Sequence, residues 1–249
     1  MQKYIEEAPF IGPLVLVGGQ EWQTGCDFDF DLVTRLKLNS KSIQNKKSSQ
    51  SEIKVLILPT AAAYEQPDLV FKNAKLWFAS ISAETEECPI LRREDAFSET
   101  FINQIATAKF IYIAGGSPLH LRSVFKLSPA FDAMMTAWQA GAILAGSSAG
   151  AMVLTDPMID PRGGAFSVGL GAVTNIAIYP HFVGVLDAKL QRTITLAPRN
   201  CAVVALPEQT ALIREPDGSW HIEGKHADSV LTYISSREIG VEDLESLIA

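Results

Sequence analysis

Short, continuous apolar runs recur along the chain, and most of them end at glycine or proline. Leu14-Val15-Leu16-Val17 enters Gly18-Gly19, and Ile53-Lys54-Val55-Leu56-Ile57-Leu58 stops at Pro59. Phe110-Ile111-Tyr112-Ile113 is followed by Gly115-Gly116, and Ala142-Ile143-Leu144-Ala145 by Gly146. Runs of this length that do not alternate with polar residues predict strands buried on both faces. Between them the spacing becomes helical. Val70, Ala74, Trp77 and Phe78 share one face of a helix from about Pro67, and Phe97, Phe101, Ile102 and Ile105 one face over 95–108. Residues 31–38 form a further candidate helix. Ser128-Pro129 reads as the cap and first turn of another, which Gly141 closes. Residues 39–51 are rich in Ser, Lys, Gln and Asn without an apolar pattern, which predicts an exposed loop. Strands alternating with helices predict an α/β fold, a mostly parallel sheet covered on both faces, in a single domain over 1–249. Ligands of such sheets bind beyond the carboxyl ends of the strands. Gly18-Gly19, Gly115-Gly116 and the segment after Ala145 all fall there, so one rim and one site are expected.

Composition narrows the partners. Hydrophobic residues make up 47% and charged residues 20% of 249, the balance of a globular chain with a sizeable core. A formal net charge of -7 argues against nucleic acid, whose phosphates need clustered Lys and Arg. The three cysteines, Cys26, Cys88 and Cys201, are scattered, which supports neither a disulfide framework nor a zinc ribbon. Met1 to Glu7 lack the basic and apolar regions of a secretory leader, and no stretch is long and apolar enough to span a membrane. A cytoplasmic protein is expected.

The chemistry centres on Ala145-Gly146-Ser147-Ser148-Ala149-Gly150-Ala151. Gly-x-Ser-x-Gly between a buried strand and a small, apolar helix start is the context of a nucleophile elbow. Ser148 would sit on the strained turn, with free N–H groups of the helix start favouring a developing negative charge. The plain alternative is a small-residue turn packed against a sheet. Of four histidines, His181 follows the strand-like Ile176-Ala177-Ile178-Tyr179 and Pro180, so it reaches the same rim. His120 follows Gly115-Gly116 and could line the pocket, whereas His221 and His226 flank the turn at Pro216-Asp217-Gly218-Ser219 and read as surface residues. Glu208 comes directly after Val203-Val204-Ala205-Leu206-Pro207 and is the best acid. An order of Ser, His, acid differs from the α/β-hydrolase order, which Asp156 or Asp160 with His181 would restore.

These residues resemble the aspartyl dipeptidase and cyanophycinase family of serine peptidases. Leu16-Val17-Gly18-Gly19, Leu58-Pro59-Thr60-Ala61, Gly115-Gly116, the Ser148 elbow, Gly169-Leu170-Gly171, Pro180-His181-Phe182 and Glu208-Gln209-Thr210-Ala211 match its landmarks in order. The resemblance implies a three-layer sandwich like class I glutamine amidotransferases, with Ser in place of the catalytic Cys. It also implies Ser148 as nucleophile, His181 as general base and acid, Glu208 as its orienting group, and the N–H groups of Gly116 and Ala149 as oxyanion hole. No metal or organic cofactor is implied. The expected partner is a small peptide substrate, and a homodimer is left open. The chain departs from the pattern after the paired glycines, where Ser117-Pro118 replace Asn or Asp and a polar residue, and His120 stands where Gln or Arg is usual. Ser117 and His120 are therefore candidate substrate contacts. An aspartyl substrate would call for a cation, for which Arg122, Arg162 and Arg192 are the candidates. An esterase or other amidase on the same scaffold, and a non-catalytic binding module that keeps the elbow, are the other readings.

Overall fold

Seven strands make the central sheet of the computed structural model, which describes residues 11–43 and 53–246. In chain order come β1 (Leu14–Val17), α1 (Phe28–Ile43), β2 (Lys54–Leu58), α2 (Pro67–Ser80), β3 (Glu84–Glu87), α3 (Glu99–Thr107), β4 (Phe110–Ile113), α4 (Pro118–Phe125), α5 (Pro129–Gln139), β5 (Ile143–Ser147) and α6 (Ala149–Leu154). Four two-residue strands follow: β6 (Thr155–Asp156), β7 (Met158–Ile159), β8 (Phe166–Ser167) and β9 (Val173–Thr174). The chain ends with β10 (Ile176–Phe182), α7 (Ala188–Leu196), β11 (Ala202–Pro207), β12 (Thr210–Arg214), β13 (Trp220–Gly224), β14 (Leu231–Ile234) and β15 (Arg237–Ile239).

The central sheet is ordered β13-β12-β1-β5-β4-β2-β3. Its β1, β5, β4, β2 and β3 run parallel, as the continuous apolar runs predict, and β12 and β13 add an antiparallel edge. Successive residues of the inner strands face opposite cores. Val15, Val17, Val55, Ile57, Phe110 and Tyr112 pack with Phe28 and Leu32 of α1 and Phe71 and Phe78 of α2. Leu14, Leu16, Leu56, Leu58, Ile111 and Ile113 face the other way, among side chains from α4, α5, α6 and a second sheet. Each fully buried aliphatic side chain contributes about 1.5–3 kcal/mol, so the middle strands are held from both sides. At the far edge β3 reads Glu-Thr-Glu-Glu, a charged strand that discourages pairing with another chain.

The second sheet is ordered β10-β11-β14-β15. Its β10 and β11 run parallel, and the chain then passes from β11 to β12, from one sheet to the other, through Glu208 and Gln209 alone. Three local expectations change. Helix α1 begins at Phe28 and continues to Ile43, so 39–43 of the expected loop are helical, while 44–51 lie outside the described residues. The helix expected over 95–108 is a 3-10 turn, Arg93–Phe97, and a separate α3. The break falls at Ser98, which is extended, and Asp95 caps the start of the turn before it, its carboxylate accepting the N–H groups of Leu91 and Arg92. Ser128 caps α5 through the N–H of Phe131, as its position before proline suggests. No helix among the described residues is long and apolar enough to cross a membrane.

Candidate active site

Strand β5 ends directly in the elbow. Ser148 has φ 48° and ψ -106°, a conformation that costs a non-glycine residue about 1–3 kcal/mol and persists where its surroundings hold it. Two neighbours hold it here: its N–H donates to the Val17 carbonyl at 2.8 Å, and α6 starts at the next residue. The turn closes tightly because Gly146 has no side chain; a Cβ there would lie 2.6 Å from the carbonyl carbon of Gly150. Ser148 is left half-buried at the C-terminal rim of the parallel strands, where it lines a cleft.

The second sheet brings the partners. His181 sits at an irregularity in the β10–β11 pairing, at φ 56°, and its N–H donates to the Gly18 carbonyl at 2.8 Å. Its Nε2 lies 2.7 Å from Ser148 Oγ, and its Nδ1 lies 2.9 Å from Glu208 Oε1. An ionised carboxylate can only accept, so Nδ1 carries the proton and Nε2 is left to accept from the Ser148 hydroxyl. Glu208 stands at the crossing between the sheets. Beside it the Gln209 N–H donates to the Gly19 carbonyl at 2.8 Å and the Gly18 N–H to the Thr210 carbonyl at 2.9 Å. The loop after β1 thus fixes both the histidine and the acid relative to β5. His181 and Glu208 are each about half exposed, open to a substrate from solvent.

A cleft of about 790 Å³ opens beside Ser148 and His181, lined by Gly115, Gly116, Trp77 and the segment from Gln20 to Gln23. Glu21 lies within it: Oε1 accepts the Gly115 N–H at 3.0 Å, and Oε2 accepts the hydroxyl of buried Ser147 at 2.6 Å. Its neighbours Gln20 and Trp22 both take positive φ, 52° and 61°, so the chain is turned sharply on either side of it. Behind the cleft, Trp77 Nε1 donates to Asp29 at 2.8 Å. Burial nevertheless pushes the Asp29 carboxyl up to about 8, against that bond and with help from the nearby Glu21 charge.

A family model described as peptidase family S51 matches residues 31–221. The chain belongs to this family. Two cyanophycinases, from Synechococcus elongatus and from Thermosynechococcus vestitus (strain NIES-2133 / IAM M-273 / BP-1), are each 26% identical to it over 195 residues, 74% of this chain and 59% of theirs. The S51 chain thus spans less than two thirds of the length of these curated relatives. The crystal structure of a peptidase from an acI-B1 Actinobacterium matches with a TM-score of 0.74 at 24% identity, over 94% of this chain and 98% of that one. At that identity the match shows a shared fold.

The other residues singled out in the sequence of this S51 chain separate into two groups. Gly116 lines the cleft, and Ala149 is the first residue of α6, where a helix leaves its N–H groups without partners in the helix. Ser117, His120, Arg122, Arg162 and Arg192 are not among the residues lining the cleft. Ser117 caps α4 by accepting the His120 N–H, and its own N–H donates to the Ala61 carbonyl at 2.8 Å. His120 is tied to the Leu91 carbonyl at 2.8 Å and meets the edge of the Tyr64 ring. Arg122 donates to the Val168 carbonyl, Arg162 pairs with Asp160 at 2.7 Å, and Arg192 is exposed on α7. Asp156 accepts the Gly169 N–H at 2.9 Å, so both alternative acids are engaged away from His181. His221 pairs with Glu223 at 3.0 Å, and His226 is exposed. The three cysteines are free and buried, and burial pushes each thiol up to about 12, which removes them as competing nucleophiles. Glu21 is the residue that sequence reasoning missed. Its signal was its place, an acid two residues beyond Gly18-Gly19 on the same rim.

Proposed function

We propose that this chain is a serine peptidase that hydrolyses short peptides through Ser148, His181 and Glu208. The observation that carries the reading is the unbroken hydrogen-bonded line from Ser148 Oγ through both imidazole nitrogens to the Glu208 carboxylate. In this reading His181 takes the Ser148 proton as Oγ attacks the scissile carbonyl, and Glu208 steadies the imidazolium that forms. The N–H groups of Gly116 and Ala149 hold the oxyanion. The Gly115 N–H is already given to Glu21, which supports Gly116 as the donor from that loop. His181 then returns its proton to the leaving amine, and water releases the acyl group by the same steps.

An aspartyl substrate would place a second carboxylate in the cleft, where it needs a fixed cation or several donors. The described residues lining the cleft include no lysine or arginine, and so the proposal does not extend to aspartyl specificity. Reaction with a fluorophosphonate, read by intact mass, together with a dipeptide-library screen tests the reading. Labelling of Ser148 and cleavage of short peptides are expected. Hydrolysis of esters alone would turn the reading to an esterase. A folded protein that resists the label would leave a binding module.

A further inference from the structure

The Glu21 carboxylate stands beside the proposed nucleophile without a cation to balance it. Both of its bonds come from neutral donors, the Gly115 N–H and the Ser147 hydroxyl. No lysine or arginine among the described residues pairs with it or lines the cleft. It is also close: a Cβ built on Gly115 would lie 3.4 Å from the Ser148 Cβ and 3.5 Å from Glu21 Oε1. Acyl transfer at Ser148 builds negative charge on the substrate carbonyl oxygen, and a fixed carboxylate at this range opposes that charge. The opposition disappears when the substrate itself supplies a positive group. Two of the roughly four lone-pair positions of the carboxylate are used, which leaves room for such a group.

We propose that Glu21 anchors the protonated α-amino group of a short peptide and so presents its first peptide bond to Ser148. The geometry favours the α-amine over a side-chain cation. In an N-terminal residue the amine and the scissile carbonyl carbon are bonded to the same Cα, which suits a carboxylate one residue's width from the nucleophile. The cation of a lysine or arginine side chain lies several bonds further out. Glu21 precedes residues 31–221, which the family model matches, so this anchor belongs to a part of the chain that the match does not describe. The inference rests on the serine-peptidase reading.

The test compares kcat/KM for a short peptide with a free amino terminus and for its N-acetyl form, between pH 6 and 9.5. The full-length wild type is expected to prefer the free peptide by about tenfold or more. The ratio should fall towards one as pH passes the amine's pKa near 8, since only the protonated amine is held below it. Changes in groups that serve both reactions affect both rates alike and cancel in the ratio. Glu21→Gln keeps the shape and an acceptor for Gly115, and it should bring the ratio at pH 6 close to one, through KM. N-acetyl peptides of lysine and norleucine should be cleaved alike. A wild-type ratio of one at all pH values, a ratio that survives in Glu21→Gln, equal losses for both peptides, or a preference for the N-acetyl-lysyl peptide would each overturn the anchor. Were Glu21→Gln to melt early, the pH course of the wild-type ratio decides alone. Fluorophosphonate labelling runs in parallel: labelling without amine discrimination removes the anchor only, and absence of labelling removes the serine reading beneath it.

Discussion

The imidazole of His181 fills the space that Gly19 leaves empty: a Cβ on Gly19 would lie 2.4 Å from the ring's Cε1. Gly19 also takes φ 128°, which a side chain would strain. Gly19→Ala should push the ring away from Ser148 and lower kcat about a hundredfold, the scale of a displacement near 1 Å in a reacting pair. Steady-state kinetics beside a melting curve checks this. An unchanged kcat in a folded variant would mean that the ring works from another position.

The two adjacent serines should separate cleanly. Ser148→Ala should abolish labelling and turnover. Ser147→Ala removes the buried hydroxyl that donates to Glu21, which should cost about 1–2 kcal/mol of stability while labelling at Ser148 persists. Mass spectrometry and chemical denaturation read the two effects. The reverse pattern would shift the nucleophile by one residue.

Glu208→Gln should lower kcat by about two to four orders of magnitude with the fold intact, because Gln no longer selects the imidazole tautomer that accepts from Ser148. Asp156→Asn and Asp160→Asn should leave turnover close to wild type. Asp160 is held at about 2 by its exposed partner Arg162, and that pair stands apart from the cleft. Kinetics of the three variants under one condition checks the order of the triad.

Asp29 makes stability depend on pH in an unusual direction. Its folded pKa, about 8, lies above its ordinary value of 3.8, so the folded chain holds a proton that the unfolded chain releases. The stability this gives is complete below about pH 4 and is lost as pH rises towards 8. Asp29→Asn keeps an acceptor for Trp77 Nε1 and removes the titration. The melting temperature of the wild type should therefore fall relative to the variant between pH 4 and pH 8. Parallel curves would show that Asp29 does not titrate in this range.

Much of the candidate site is legible in the sequence because its parts lie at punctuated strand ends. Gly18-Gly19, Gly115-Gly116 and Ser148 follow apolar runs of the central sheet, whose carboxyl ends share one rim, and His181 and Glu208 stand at proline-marked ends of β10 and β11, which the second sheet brings to that rim. The candidate arginines lie near these motifs in sequence, and nearness along the chain says little once helices intervene; Arg122 faces Val168 and Arg162 its neighbour Asp160. Glu21 was hidden for a different reason. It sits in a loop without periodicity, and only the turns at Gln20 and Trp22 aim it at Gly115. The second sheet was equally hidden, since apolar runs announce strands but not which sheet they join.

The crossing at Glu208 and Gln209 has a thermal consequence. Ser148 and His181, the proposed nucleophile and base, are carried by different sheets, so a partial opening that frees β10, β11, β14 and β15 from the central sheet would part them before β5 itself loosens. Catalysis would then report the docking of one sheet on the other. On slow heating, activity should fade at a lower temperature than the bulk circular dichroism signal and return on cooling, which makes the rate of turnover a local thermometer for this junction.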